Sequence, residues 1–571
     1  MNRNTESHFA NTPSMNISRS KFDRSFDHKT TFDAGELIPI YCDCTIMPGD
    51  TVKMDMSEVV RMMTPITPVM DNANLDIYFF FIPYRLVWDK WKRFWGENDT
   101  APWAQTVEYT VPQVKNYNSG SEQGKRIIKK GSLGDYFGYP TGLEAEYQAS
   151  ALPFRCYCAV WNEWFRDENL QNPINIDIDK DTATSVVSYD HPSYDEVRHS
   201  TGGGGKPLKV CKYHDYFTSA LPQAQKGNPV YVPLGSSAPV MFGEAPTGFY
   251  DNRTQNETLV GKYAGITRDP NQTITVAGTD YTVRNEMMGS SDGTNTINLE
   301  ESEKVGLYTD LSLAVGATVN QLRQAFAIQK FYERQALGGT RYTEMIKAHW
   351  GVTNPDYRMQ RPEYLGGKRI PINMNQVVQA TQSLTDSGEP TTGLGTTGAY
   401  SVTSDRDSMF THSFTEHGVL LGLACVRTVK TYQQGLNRQY SQKKLTDFYV
   451  PEFANLGNMA ILEKEIYLQG TSDDETAFGY QEAWANYRYN PNIVTGEMRS
   501  NVEDSLDIWH WADNYEEAPS LGDKWIKEDK SNIERTLAVQ NHNQFFGDFY
   551  FRAIYTRPMP LYSIPGLIDH H

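Results

Sequence analysis

The sequence predicts a mainly β protein, an all-β sandwich or barrel with elaborations. Three observations predict it. Turn formers are plentiful and spread along the whole chain, with 43 Gly and 29 Pro in 571 residues. Several segments alternate apolar and polar residues with the period of a strand. No linker, low-complexity tract or internal repeat divides the chain, although at roughly 150 residues per domain its length would allow about three or four domains.

The elements follow in order. "ELIPIYCDCTI" (36–46) alternates and reads as a strand. "NANLDIYFFFIPYRLVWDKWKRFWGEN" (72–98) reads as a strand over 77–82, ended by Pro83, then a helix over 84–95 closed by Gly96. Nine of the eighteen residues from Tyr78 to Trp95 are aromatic, in a chain of mean hydropathy -0.57. Such a belt suits a core, a ligand site, a membrane or a partner subunit. A spanning helix needs about 20 mostly apolar residues. Here Arg85, Asp89, Lys90, Lys92 and Arg93 follow Pro83, so no membrane insertion is expected. Phe79 and Phe81 face one way from the strand and Tyr78 and Phe80 the other. Both faces must therefore be covered, one by the domain's own core and the other by a helix, a loop or another chain. On the helix Trp88, Trp91 and Trp95 fall at i, i+3 and i+7. Aromatics beside Arg are enriched at interface anchors, which makes these three the candidate subunit-contact residues.

"LPFRCYCAVWNEWFRDENLQNP" (152–173) reads as helical around 161–170, stopped by Asn172-Pro173. The composition then changes. All eleven Trp lie outside residues 165–349, and 251–319 contain no Trp, Phe, His or Cys. This Thr-, Asn-, Asp- and Gly-rich stretch cannot build a large aromatic core. It still carries a hairpin signal at 273–285, where Ile274, Val276, Tyr281 and Val283 alternate around the turn Ala277, Gly278, Thr279, Asp280. It reads as a β-rich excursion from the main body. "TVNQLRQAFAIQKFYERQALGG" (318–339) reads as a helix with a capping box at Thr318/Gln321 and a stop at Gly338. "GVLLGLACVRTV" (418–429) suits a strand buried on both faces. "GDFYFRAIYTRPMP" (547–560) places Phe549, Phe551, Ala553 and Tyr555 on one side and Tyr550, Arg552, Ile554 and Thr556 on the other.

The formal charge of -17 argues against a free-standing nucleic-acid binder. The N-terminus has no apolar signal region, and six cysteines in this length do not form a disulfide framework, so a reducing cytosol is expected.

Motifs for chemistry are weak, and no catalytic residue, metal site or cofactor is predicted. Cys42/Cys44 and Cys156/Cys158 at strand spacing each point to one face, yet structural zinc sites prefer two to four intervening residues, so buried thiols are the better reading. Asp177, Asp179 and Asp181 open a calcium-loop pattern, but Thr182 and Ser188 stand where Gly and Glu are due. "GGGGKP" (202–207) has Ser200 and Pro207 at key phosphate-loop positions and reads as a turn. Glu416-His417 reads as a packed or surface pair.

Many ordered segments carry a resemblance: "TTFDAGELIPIY" (30–41), "TPVMDN" (67–72), "RLVWDKW" (85–91), "NEWFRDENLQ" (162–171), "HDYFTSALPQAQKG" (214–227), "GGTRYTE" (338–344), "QRPEYLGG" (360–367), "TYQQGL" (431–436) and "FGYQEAWANYRY" (478–489). Over nearly its whole length the chain resembles the major capsid proteins of gokushoviruses, small single-stranded DNA phages of the Microviridae. It departs from them at both Cys-x-Cys pairs, and the excursion matches only by location.

The resemblance implies a single eight-stranded viral jelly roll with long inserted loops and a few helices. It implies an N-terminal arm (1–30), a core in two parts (31–224 and 318–555), an inserted β-rich surface protrusion (225–317) and a C-terminal arm (556–571). About sixty copies would close into a T=1 icosahedral shell around packaged single-stranded DNA. The protrusion would sit at the threefold axes and meet a host-cell surface receptor, with Ala277, Gly278, Thr279 and Asp280 at its tip. Further implied partners are a small basic DNA-binding phage protein and an internal scaffolding protein. Assembly would take place in the host bacterial cytoplasm and the product would be the virion. The rival readings are a β-sandwich carbohydrate-active or carbohydrate-binding protein, for which Glu163 and Asp167 are available carboxylates, and a monomeric or low-order adhesin.

Overall fold

The computed structural model describes residues 18–97, 109–116, 128–174 apart from 144 and 146, 176, 178–179, 205–228, 230, 319–381 and 393–562, together with the backbones of seven short strands between 240 and 309. The chain divides into two compact units, Met1–Lys226 with Glu333–His571, and Gly227–Tyr332.

The first unit is built on two antiparallel sheets. The strands of these two sheets in chain order are β1 (Ser20–Asp23), β2 (Phe26–Phe32), β3 (Ile38–Ile46), β4 (Thr51–Met62), β5 (Ala73–Pro83), β6 (Glu363–Pro371), β7 (Thr403–Ser413), β8 (Gly418–Thr428) and β9 (Phe545–Arg557). In one sheet β9 lies between β4 and the end-to-end pair β1 and β2, and β7 flanks β4. Because β1 and β2 share one edge of β9, this sheet has four strand positions. The other sheet runs β6–β5–β8–β3.

The period-two pattern fixes which residues meet between the sheets. Val52, Met54, Met56, Val60 and Met62 of β4 and Phe545, Phe549, Phe551, Ala553 and Tyr555 of β9 point inward, against Tyr41, Leu75, Ile77, Phe79, Phe81, Leu420 and Ala424. The Tyr41 and Phe551 rings meet edge-on at 5.1 Å, Phe79 lies 5.5 Å from Phe410, and the Tyr41 and Tyr555 hydroxyls are 2.6 Å apart. A side chain at Gly422 of β8 would meet Phe79 and Tyr41 at 2.8 Å, so the glycine lets these rings close over the strand.

The two sheets differ on their far sides. That of β6–β5–β8–β3 carries a second apolar layer, in which Phe80, Ile82, Val419, Leu421, Leu423 and Cys425 pack against helix α1 (Leu152–Val160), every residue of which is buried. The Tyr157 hydroxyl of α1 donates to the Leu37 carbonyl at 2.7 Å and accepts from Leu208 N–H at 2.8 Å. Among the described residues the far side of β2–β9–β4–β7 carries no such layer, and β9 alternates buried and exposed along its first eight residues.

Four expectations change. Residues 18–30 are not a free arm: β1 and most of β2 hydrogen-bond along β9, with Phe32 stacked on Phe545 at 5.7 Å. At the other end β9 runs to Arg557, whose guanidinium lies 3.1 Å from the buried Asp50 carboxylate. The helix expected over 84–95 is two short pieces, a 3-10 turn Tyr84–Leu86 and a helical turn Trp91–Phe94, because the Asp89 N–H goes to the Ile178 carbonyl (3.1 Å). The helix expected around 161–170 lies earlier, in α1 and a π turn Trp161–Phe165, since Arg166 turns extended and Asp167 Oδ1 caps the N–H groups of Asn169 and Leu170.

In the second unit, Thr273–Val276, Thr279–Arg284 and Met287–Ser290 form a three-stranded antiparallel sheet, with Ile274 opposite Tyr281 as the alternation requires. Thr279 and Asp280 open the middle strand; Ala277 and Gly278 lie outside the described residues. Helix α2 (Val319–Leu337) begins in the second unit and ends in the first, where Gly338 N–H bonds the Arg334 carbonyl at 2.9 Å, and α3 (Tyr342–Trp350) follows in the first unit.

Candidate assembly surfaces

The aromatic belt separates into an inner and an outer part. Trp88 is fully buried in the layer that backs β5 and β8, beside Val87, Tyr84 and α1. Arg155 reaches over it to the Val87 carbonyl at 3.1 Å. Trp91 is half-buried, with its ring 4.5 Å from Tyr84, 5.9 Å from Trp95 and 5.8 Å from His417. Trp95 is 59% exposed and stacks on His417 at 4.4 Å and 15°. The Glu416-His417 pair is thus packed around the belt: Glu416 clamps Arg85 at 2.6 and 3.1 Å, and partial burial holds His417 below its ordinary value. Trp88 fills its own chain's core, which leaves Trp95 and its exposed neighbour Phe94 as the belt's outward face.

Other large apolar side chains of the first unit stand away from its two sheets. Tyr342 and Trp350 on α3 are 63% and 70% exposed, and Tyr440, Leu445, Tyr487, Tyr489 and Ile493 are exposed along a loop-rich region. Scattered single apolars are ordinary on a surface, but concentrations of this size mark contact sites.

Sequence motifs gave no hint of two ionic networks. Asp76 on β5 receives Arg369 from β6 (2.7 Å), Arg427 from β8 (2.5 and 3.0 Å) and the Tyr213 hydroxyl (2.7 Å). Both guanidiniums stack on the Tyr213 ring, at 4.4 and 4.2 Å. They line a cavity of about 400 Å³ with Tyr78, Phe80 and Trp164. Deeper in, Lys430 pairs with Glu528 (2.7 Å) and Lys212 with Asp513 (3.0 Å), all four buried. Lys430 and Lys212 hold the Asp513 carboxyl well below its ordinary range despite its burial. The partners within each pair lie far apart in sequence, Asp76 from Arg369 and Arg427, Lys212 from Asp513 and Lys430 from Glu528, so no local spacing announces them.

The weak chemical motifs stay apart. The Cys42 and Cys44 sulfurs are 3.8 Å apart on β3, whereas Cys156 and Cys158 sit on α1, where i and i+2 diverge, rather than on a strand. Among the described residues no group of three or more His, Cys, Asp or Glu is arranged to hold a metal ion. Asp177, Asp181 and residues 202–204 lie outside the described residues. Glu163 sits on the π turn and Asp167 caps the turn after it.

Residues 10–567 match the family described as "Capsid protein (F protein)". The chain belongs to this family of phage capsid proteins. It is 39% identical to "Capsid protein VP1" of Bdellovibrio phage phiMH2K over 99% of this chain and 98% of that one. It is 36% identical to "Capsid protein VP1" of Chlamydia phage 1, over 98% and 97% of the two chains, and 37% identical to that of Spiroplasma virus 4, over 96% of each. As the major capsid protein of a small single-stranded DNA phage, it needs surfaces that meet other copies and a surface that meets the genome. The exposed aromatics above are candidates for the first. No helix among the described residues is long and apolar enough to cross a membrane.

Proposed function

We propose that about sixty copies of this capsid protein close into a T=1 icosahedral shell around the single-stranded DNA genome. The observation that carries the reading is the set of large apolar side chains a single chain leaves bare, with Trp95, Tyr342, Trp350 and Tyr440 each more than half exposed. Copies packed around symmetry axes would cover them. The chain acts as a structural protein, without catalysis. The strand orders β2–β9–β4–β7 and β3–β8–β5–β6, with four positions in each sheet, support an eight-stranded jelly roll. Residues 225–317 serve as the protrusion at the threefold axes, with 277–280 reaching a host receptor. An internal scaffolding protein and a small basic protein act during assembly in the host cytoplasm. The test is particle mass: sixty copies of 64.9 kDa give about 3.9 MDa, and purified protein that stays at tens to hundreds of kDa refutes the shell.

A further inference from the structure

The far face of the β2–β9–β4–β7 sheet, uncovered among the described residues, has a definite chemistry. The pairing register places its outward residues in rows: Thr31–Phe546–Arg61, Lys29–Asp548–Val59–Ser404, Asp27–Tyr550–Ser57–Arg406, Arg552–Asp55–Ser408, Asp23–Ile554–Lys53–Thr411 and Lys21–Thr556–Thr51–Ser413. These rows hold six basic residues against four acidic ones, within a chain whose formal charge is -17. Lys29 is 3.3 Å from Asp548 and Arg552 is 3.9 Å from Asp55. Lys53, Arg61 and Arg406 are exposed and have no carboxylate partner among the described residues. Two exposed aromatics stand among these cations, Phe546 and Tyr550, four residues apart on β9 and so about 13 Å apart along the strand.

We propose that this face is the genome-contacting surface of the capsid protein and binds the packaged single-stranded DNA. The proposal rests on the shell reading and adds the element that touches the genome. Cations without partners neutralise phosphates and release their counterions. Aromatics on an open sheet stack unpaired bases whatever their sequence, since every base has a π-face. The opposite sheet cannot play this part, because α1 and the Trp88 layer cover it. A duplex would offer only phosphates to this face and leave Phe546 and Tyr550 unused, so the aromatics select a single strand. A net excess of two positive charges gives local contacts and leaves most of the genome's charge to another cation source.

The test uses assembled particles of the full chain. Unmodified particles are irradiated and digested, and DNA-linked peptides are mapped by mass spectrometry. The expected links fall on the strand carrying Phe546 and Tyr550. A triple variant, Lys53→Gln with Arg61→Gln and Arg406→Gln, should form particles of unchanged mass that release DNA at half the salt concentration or less. Tyr550→Thr, a strand-compatible change, should reduce crosslinking at β9 severalfold while keeping assembly. Links that map elsewhere, together with unchanged salt resistance of the triple variant, overturn the proposal. Folded triple-variant subunits that fail to assemble also overturn it, since the face would then be a contact between copies. A triple variant that does not fold leaves the decision to the crosslink map, which needs no variant. If the unmodified chain forms no particle at all, it is the shell reading that fails.

Discussion

Replacing Trp88 and Trp95 one at a time by alanine separates folding from assembly within a single belt. Trp88 is fully buried between β5, β8 and α1, so Trp88→Ala opens a cavity and is expected to cost the subunit about 3–5 kcal/mol. Trp95 is 59% exposed and keeps contact chiefly with His417 and Trp91. Its truncation should cost the free subunit well under ~1 kcal/mol. In a shell the remaining area matters. An indole buries up to about 250 Å², so about 150 Å² of Trp95 stays available to a partner. At ~25 cal/mol per Å² that is at most about 3–4 kcal/mol per site, repeated in every copy. Denaturant unfolding of soluble subunit reports the first quantity, and particle yield by sedimentation and electron microscopy reports the second. Trp88→Ala should lower the unfolding midpoint strongly, and Trp95→Ala should leave it nearly unchanged while particle yield falls at least tenfold. Equal destabilisation by both changes, or normal particle yield with Trp95→Ala, refutes the division.

Breaking the buried pair with Lys430→Met should destabilise by about 3–5 kcal/mol, since it strands the Glu528 carboxylate, and Lys430→Met with Glu528→Leu should recover much of that in the same unfolding assay. Burial raises Glu36 and Glu58 to about 7, above their unfolded value of 4.5, so their contribution is fully present below pH about 4.5 and is lost as pH rises through about 7. Asp513 is shifted the other way, so its contribution is lost as pH falls below about 4. Thermal midpoints should therefore peak near pH 5, and Glu58→Gln should flatten the fall between pH 5 and 8; midpoints that climb steadily from pH 5 to 8 refute this. Replacing residues 251–317 by a short Gly/Ser bridge should leave shells that assemble and hold DNA but adsorb poorly to the host, counted as unbound particles, because loop length changes closure entropy only slowly.

Four of the nine strands were legible in the sequence. Period-two alternation placed β3 and the two faces of β9, and runs apolar on both faces placed β5 and β8. What stayed hidden depends on contacts between distant segments. The N-terminal residues look too polar to fold alone, yet β1 and β2 take their hydrogen-bond partners from β9, more than 500 residues on. The break in the Tyr84–Trp95 run depends on a carbonyl at Ile178. The Asp76 and Asp513 networks join charges that show no spacing at all in the chain.

The belt shows why an aromatic cluster overstates an interface when it is read from sequence alone. β5 is an interior strand of its sheet, with β6 on one side and β8 on the other. One of its faces closes the space between the sheets and the other lies beneath α1. Folding therefore accounts for Phe79, Phe80, Phe81, Tyr84 and Trp88 without any second copy. The covering layer comes from residues 152–160, well beyond the belt, and its apolar character is not visible from the belt itself. Only past Trp91, where that cover ends, does a partner become the simplest account of an exposed indole. The same reasoning applies in reverse to β9. Its outward row has no covering layer among the described residues, and its composition is mixed rather than apolar. A protein neighbour would favour an apolar, charge-depleted centre, whereas unpartnered cations around isolated aromatics suit a polyanion with stackable bases.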